Sequence, residues 1–107
     1  MPVNGKLLHP ITWREFVRLC VLERISIDGK ASRRDLFDLS VERCRPILGK
    51  YHLVLDEAKG CITPFDIEYT LQELAGESLI AQSTDGITLT SRGYEAIPNI
   101  PMMADRK

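Results

Sequence analysis

Residues 63–97, TPFDIEYTLQELAGESLIAQSTDGITLTSRGYEAI, contain the local signals that decide the fold. Thr63 and Pro64 are typical of a helix start, because the threonine hydroxyl can accept a hydrogen bond from a first-turn amide and proline suits the first helical position. Gly76 favours the helix end. Three apolar residues between these points recur at helical spacing: Ile67, Leu71 and Leu74. The pattern predicts a helix over residues 64–76 with this apolar side facing a core.

The residues after this helix predict a β-hairpin. Two short runs of strand character, residues 79–83 and 87–90, are joined across Asp85-Gly86. Asp-Gly between two such runs is the strongest short-range signal for a hairpin turn. Residues 91–97 then favour one or two helical turns, which Pro98 ends.

This order of elements resembles the end of a winged helix-turn-helix domain of the kind found in prokaryotic transcriptional regulators. Such domains follow a Leu-x-x-Leu helix, a Gly-Leu-Ile step into a hairpin called the wing, and a Leu-Thr-x-x-Gly sequence. The matching residues are Leu71, Leu74, Leu79, Ile80, Leu89, Thr90, Gly93 and Ala96. Ser78 stands where glycine is usual. The resemblance covers about a quarter of the chain, and it is more specific for a fold than for a function.

The first half of the chain predicts two further helices. Thr12 and Glu15 have the spacing of a capping box, in which each side chain binds a backbone amide at the helix start. Apolar residues then recur at helical spacing until Asp28-Gly29, which favours a helix end. Ser32 favours the start of a second helix.

Residues 40–60 fit two structures. Pro46 suits a first helical turn or ends a helix, and residues 51–58 fit a short helix. Residues 52–55 would equally form a brief strand. We favour the helix, as an insertion relative to the shortest winged-helix domains.

Composition places the chain among ordinary globular proteins. It has 107 residues, of which 44% are hydrophobic and 27% charged, and this balance disfavours disorder. No apolar run approaches the roughly 20 residues of a membrane span, and the first residues lack the pattern of a signal peptide. The three cysteines are irregularly spaced, as expected for reduced thiols. We therefore expect a cytoplasmic protein without membrane contact.

The fold class that follows is α+β: mainly α with a small antiparallel β-hairpin, in a winged helix-turn-helix arrangement. We expect residues 1–10 to be an extended lead-in and residues 11–98 to be a single winged-helix domain. The wing would span about residues 79–90. Residues 99–107 would form a flexible tail.

The residues with ligand or nucleophile chemistry form no recognised pattern. His9, Cys44, His52 and Cys61 are present, but no Cys-x-x-Cys or His-x-x-x-His pair occurs. Glycine-rich phosphate-binding loops are absent from the sequence as well. We expect no metal, no cofactor, no catalytic residues and no enzymatic activity.

The resemblance implies binding to double-stranded DNA in transcriptional control, with helix 64–76 as the third, major-groove helix. In such domains cations position the protein on phosphates and the exposed helix face reads bases. The cations here come mostly from residues 1–50, which carry ten Lys/Arg against six Asp/Glu, while residues 51–107 carry four against nine. The DNA contacts implied are Arg33, Arg34, Arg43, Arg45, Lys50, Lys59, Tyr69, Gln72 and Arg92.

The alternative is a winged-helix adaptor that binds another protein through helix 64–76 and does not bind DNA. This helix has no lysine or arginine, and its acids Asp66, Glu68 and Glu73 would face a polyanion. Phe65 and Tyr69 on its exposed side suit a protein contact. Convergence of the first-half cations around the helix would favour DNA, and their dispersal would favour a protein.

Regulators of this type usually act as two-fold dimers. The apolar face of the helix at residues 12–27 is broader than a small core requires. We therefore predict a homodimer whose contact includes Trp13, Phe16 and Leu19.

Overall fold

The computed structural model describes residues 9–56 and 60–97. Within these ranges the chain is an α+β globule with five helices, a two-stranded parallel sheet and an antiparallel hairpin. The elements are β1 (His9–Ile11), α1 (Trp13–Asp28), α2 (Arg33–Phe37), α3 (Val41–Lys50), β2 (Leu53–Leu55), α4 (Pro64–Gly76), β3 (Ile80–Ser83), β4 (Gly86–Leu89) and α5 (residues 91–97). None of the helices in the two described ranges is long and apolar enough to cross a bilayer.

Three of the helices begin with the same arrangement of side chains. The hydroxyl of the residue before the helix accepts a hydrogen bond from the amide three residues later, and the acid at that position accepts one in return. The pairs are Thr12 with Glu15, Ser32 with Asp35, and Thr63 with Asp66. Each pair satisfies two amides that have no partner inside the helix. The predicted starts of α1, α2 and α4 are confirmed.

Helix α1 is the centre of the core, since it packs against α3, α4 and β4. Phe16 and Ile25 are fully buried on it, as is Leu74 on α4. Trp13 and Leu19, which the sequence assigns with Phe16 to a dimer contact, are also buried. The exposed fractions of the three are 6%, 0% and 5% for Trp13, Phe16 and Leu19. The broad apolar face is thus covered by the chain's own elements on several sides, which leaves these three side chains little surface for a second copy. The homodimer stays a prediction.

The segment after α3 is a strand where we favoured a helix. β2 pairs in parallel with β1, in the register His9–Leu53, Pro10–Val54 and Ile11–Leu55. The amide of His9 donates to the carbonyl of His52, and the amide of Asp56 donates to the carbonyl of Ile11, both at 2.8 Å. The sequence of residues 52–55 fits either a helix or a strand. It forms a strand because of hydrogen bonds to β1, which lies far away along the chain. The last two residues of the expected lead-in, His9 and Pro10, belong to this sheet.

The predicted hairpin is confirmed, and a third segment extends it. β3 and β4 are antiparallel, in the register Ile80–Leu89, Ala81–Thr88, Gln82–Ile87 and Ser83–Gly86. Ala31, between α1 and α2, exchanges two backbone hydrogen bonds with Ile87, of 2.9 and 2.8 Å. Gly86 has a φ of +141°, and a Cβ there would lie 3.1 Å from the carbonyl oxygen of Ala31. Glycine is therefore needed both for the turn and for this close approach.

Gly93 is the position at which α5 lies closest to the start of the hairpin. A Cβ on Gly93 would lie 2.1 Å from the carbonyl oxygen of Leu79. We expect Gly93→Ala to lower the free energy of unfolding by about 1–3 kcal/mol, because backbone must move to admit the methyl group. Urea denaturation measures the change. Gly76→Ala is the control, since no atom lies within 4 Å of its Cβ position. Equal stability of Gly93→Ala and the wild type would show that α5 does not pack here.

Candidate functional site

Helix α4 presents one uncharged stripe to solvent. Its buried side is formed by Ile67, Thr70, Leu71 and Leu74. On the opposite side, residues spaced by three or four positions form what we call the outer stripe: Phe65, Tyr69, Gln72 and Gly76. Phe65 is 88% exposed and Tyr69 is 51% exposed. The outer stripe is therefore a strip of aromatic and amide surface without a formal charge.

Ion pairs with α1 border the outer stripe on one side. Arg14 pairs with Glu73, donates to the Tyr69 hydroxyl at 2.9 Å, and places its guanidinium 4.9 Å from the centre of the Tyr69 ring. Arg18 donates to both carboxylate oxygens of Glu77, at 2.8 and 2.9 Å. These hydrogen bonds lower the pKa of Glu77 and raise the pKa of Arg18. The guanidinium of Arg14 thus contacts both the hydroxyl and the ring of the exposed Tyr69.

An arginine of α2 borders the outer stripe on the other side. Arg33, from α2, lies 3.4 Å from a carboxylate oxygen of Glu68 and 3.3 Å from the side-chain oxygen of Gln82. It therefore connects α2 with both α4 and β3. The two borders together set three arginines against three glutamates, so the charges around the outer stripe compensate one another.

The other predicted DNA contacts lie elsewhere or have no ion pair with α4. Arg43 lies 3.8 Å from Asp38, and Lys50 lies 3.1 Å from Glu23. Arg45 borders a depression beside β2. Arg34 on α2 and Arg92 on α5 are exposed, and Lys59 is outside the described residues. Among the predicted cations that the structure describes, Arg33 alone forms an ion pair with α4.

Arg14 and Arg18 are the functional candidates that the sequence interpretation missed. They are four residues apart on α1, and their partners Glu73 and Glu77 are four residues apart on α4. That spacing puts the two arginines on one face of α1 and the two glutamates on one face of α4. The signal was present in the sequence, but it becomes useful only once α1 and α4 are known to pack together.

Other site chemistry is sparse in the two described ranges. No group of three or more His, Cys, Asp or Glu side chains there is arranged to hold a metal ion. Cys61 is exposed, whereas Cys20 and Cys44 are buried. Comparisons of the chain with protein-family models, with curated proteins and with solved structures found no match. The interpretation of the α4 surface therefore depends on its own geometry.

The pair Arg18–Glu77 gives a pH-dependent test of this border. Arg18→Gln should return the pKa of Glu77 to that of an ordinary glutamate, which carbon NMR of the side-chain carboxyl measures. Because the folded pKa is lowered, the pair stabilises the fold above the ordinary glutamate pKa, and this contribution is lost as pH falls through the lowered value. Both groups are partly exposed, so the contribution should stay below about 1 kcal/mol.

Arg24→Gln is the matched control for that titration. Arg24 also lies on α1, but it pairs with Asp28 and Asp35. Its replacement should leave the titration of Glu77 unchanged. An ordinary pKa for Glu77 in the wild-type protein would mean that the ion pair is not formed in solution.

Proposed function

We propose that the protein is a winged-helix interaction module that binds another protein through the outer stripe of α4. The observation that carries this proposal is Phe65, an aromatic side chain left 88% exposed in the first turn of α4, on its uncharged face. Protein interfaces combine an aromatic, charge-depleted centre with a polar rim. The outer stripe and its two borders of ion pairs have this composition.

The arrangement of elements supports the winged-helix part of the proposal. α2 packs against α4, and α4 leads directly into the β3–β4 hairpin. Ala31, just before α2, pairs with β4 as a third edge of that hairpin. In the resemblance, these would be the second helix, the third helix and the wing, with α3 and β2 inserted between the two helices.

Charge compensation favours a protein over DNA as the partner. Affinity for DNA depends largely on cations that neutralise phosphates and release counterions. The arginines at the borders of the outer stripe already face Glu68, Glu73 and Glu77. A phosphate that recruited one of them would leave a carboxylate beside the DNA. A neutral protein surface meets no such repulsion.

Replacement of Phe65 tests the proposal. A photoreactive phenylalanine analogue at position 65, introduced in the cells that make the protein, should cross-link to a discrete protein partner. With that partner purified, Phe65→Ser should weaken binding by about 2 kcal/mol, about thirtyfold in Kd, as for an aromatic side chain at an interface centre. Calorimetry measures the Kd, and thermal unfolding should be unchanged because this side chain is exposed.

Tyr94→Ser is the matched control, because Tyr94 is an exposed aromatic residue on a different helix, α5. It should bind the partner like the wild type. Partner binding through apolar contacts should also change little between low and high salt. Equal losses in Phe65→Ser and Tyr94→Ser, or the same cross-links from both positions, would contradict the proposal.

DNA binding by a transcriptional regulator is the second candidate, and the position of Arg33 favours it. Arg33 reaches both α4 and the hairpin through contacts of 3.4 and 3.3 Å, which a phosphate could replace. Arg34 is exposed beside it, and Gln72 lies on the outer stripe, where an amide can pair with adenine. In this candidate function, Arg33 and Arg34 on α2 would contact phosphates, and Gln72 on α4 would contact bases.

The double variant Arg33→Ala with Arg34→Ala should then weaken binding to all DNA sequences alike and reduce the salt dependence, whereas Gln72→Ala should change sequence preference. Binding to a random pool of duplex oligonucleotides at several salt concentrations measures both effects. Arg24→Ala, on α1, is the control, because Arg24 is not among the predicted DNA contacts. Undiminished affinity in the Arg33 and Arg34 variant would exclude this site.

A further inference from the structure

A cavity of about 460 Å³ lies between α1 and α3, and no residue of α4 lines it. Its volume falls within the roughly 300–1,000 Å³ typical of small-molecule sites. Most of its wall is apolar, formed by Cys20, Ile27, Leu39, Cys44, Pro46 and Ile47. Burial raises the pKa of the Cys20 thiol, which therefore stays protonated. A ligand that fills this space must be largely hydrocarbon.

The charged groups at the cavity are mostly cationic. Arg24 on α1 and Arg43 and Lys50 on α3 line it, together with one acid, Glu23. The carboxylate of Glu23 accepts hydrogen bonds from Lys50, at 3.1 Å, and from the hydroxyl of Tyr51. Lys50 and Glu23 thus compensate each other. The two guanidiniums remain as the positive groups facing a ligand.

Both guanidiniums are held only by carboxylates on the protein surface. Arg24 lies 3.1 Å from Asp28 and 3.8 Å from Asp35, and Arg43 lies 3.8 Å from Asp38. Asp28, Asp35 and Asp38 are 61%, 43% and 75% exposed, so these ion pairs contribute little, and water solvates the aspartates once a ligand replaces them. Asp35 lies in the first turn of α2 and Asp38 directly follows the helix, so the partners of the two arginines lie at opposite ends of α2.

We propose that this cavity binds an apolar monocarboxylate, with its hydrocarbon part against the α1–α3 wall and its carboxylate held by Arg24 and Arg43. Guanidinium groups bind carboxylates through paired hydrogen bonds, which favours this head group. The nearby carboxylate of Glu23 disfavours a ligand with a second negative charge. The site is independent of the outer stripe of α4.

Decanoate is the probe, with decylamine and decanol as ligands of the same chain length and different charge. Calorimetry with the full chain should show saturable binding of decanoate, and binding of the other two should be at least tenfold weaker. Arg43→Ala should weaken decanoate binding about tenfold or more, because it removes a hydrogen-bonding cation. Arg45→Ala is the matched control, since Arg45 is two residues away on the same helix and borders a different depression.

Ile27→Glu gives a second variant that does not depend on the arginines. Ile27 is 70% exposed at the cavity, so the fold should tolerate the change, while the new carboxylate should weaken decanoate binding at least tenfold. Ile27→Gln should weaken decanoate binding less than Ile27→Glu does. Phe65→Ser should bind decanoate normally, so this site and the proposed partner surface can fail separately. No saturable binding of decanoate, equal binding of decylamine, or an equal loss in Arg45→Ala would overturn the proposal.

Discussion

The packing of α1 against α4 is the contact on which the rest of the structure depends. Phe16 and Ile25 from α1 are fully buried in the same core as Leu71 and Leu74 from α4. Complete burial of one such side chain contributes about 1.5–3 kcal/mol, whereas an exposed ion pair contributes at most about 1 kcal/mol. Apolar packing therefore decides that α4 lies on α1, and the arginine–glutamate pairs along the edge only favour one alignment. The outer stripe faces solvent because the opposite side of α4 is used in this contact.

The same helix also explains why the molecule has two candidate surfaces. α1 is covered by α4 and β4 and, separately, by α3. The contact with α4 buries Leu74 completely, whereas the contact with α3 leaves a cavity beside Cys20 and Cys44. The residues that line this cavity come from α1, α3 and the connection between α2 and α3, and those of the outer stripe come from α4 alone. A ligand in one site therefore does not compete directly with a partner at the other.

The sequence predicts those elements that depend on interactions between residues close together along the chain. The start of α4 and the turn at Gly86 depend on residues within a few positions, so their patterns predict them correctly. β2 depends on hydrogen bonds to β1, and no local pattern reports such a distant partner. The dimer contact predicted at Trp13 has the same limit: an apolar face can be counted from sequence, but not the number of the chain's own elements that cover it. The ion pairs of Arg14 and Arg18 likewise require knowledge of which helices meet.

The remaining question at α4 is electrostatic, and the magnitudes favour a neutral partner. Breaking an exposed pair such as Arg33–Glu68 costs little, so the existing ion pairs are not themselves a barrier to phosphate. The cost lies in the carboxylate left behind. A glutamate about 4 Å from a phosphate is repelled by roughly 1 kcal/mol with the screening of water, and by more near a protein surface. With Glu68, Glu73 and Glu77 all present, such repulsion offsets much of what the three bordering arginines would gain. An aromatic contact through Phe65 avoids this opposition, because its stabilisation comes from removal of apolar surface from water and requires no change in the ion pairs at the border.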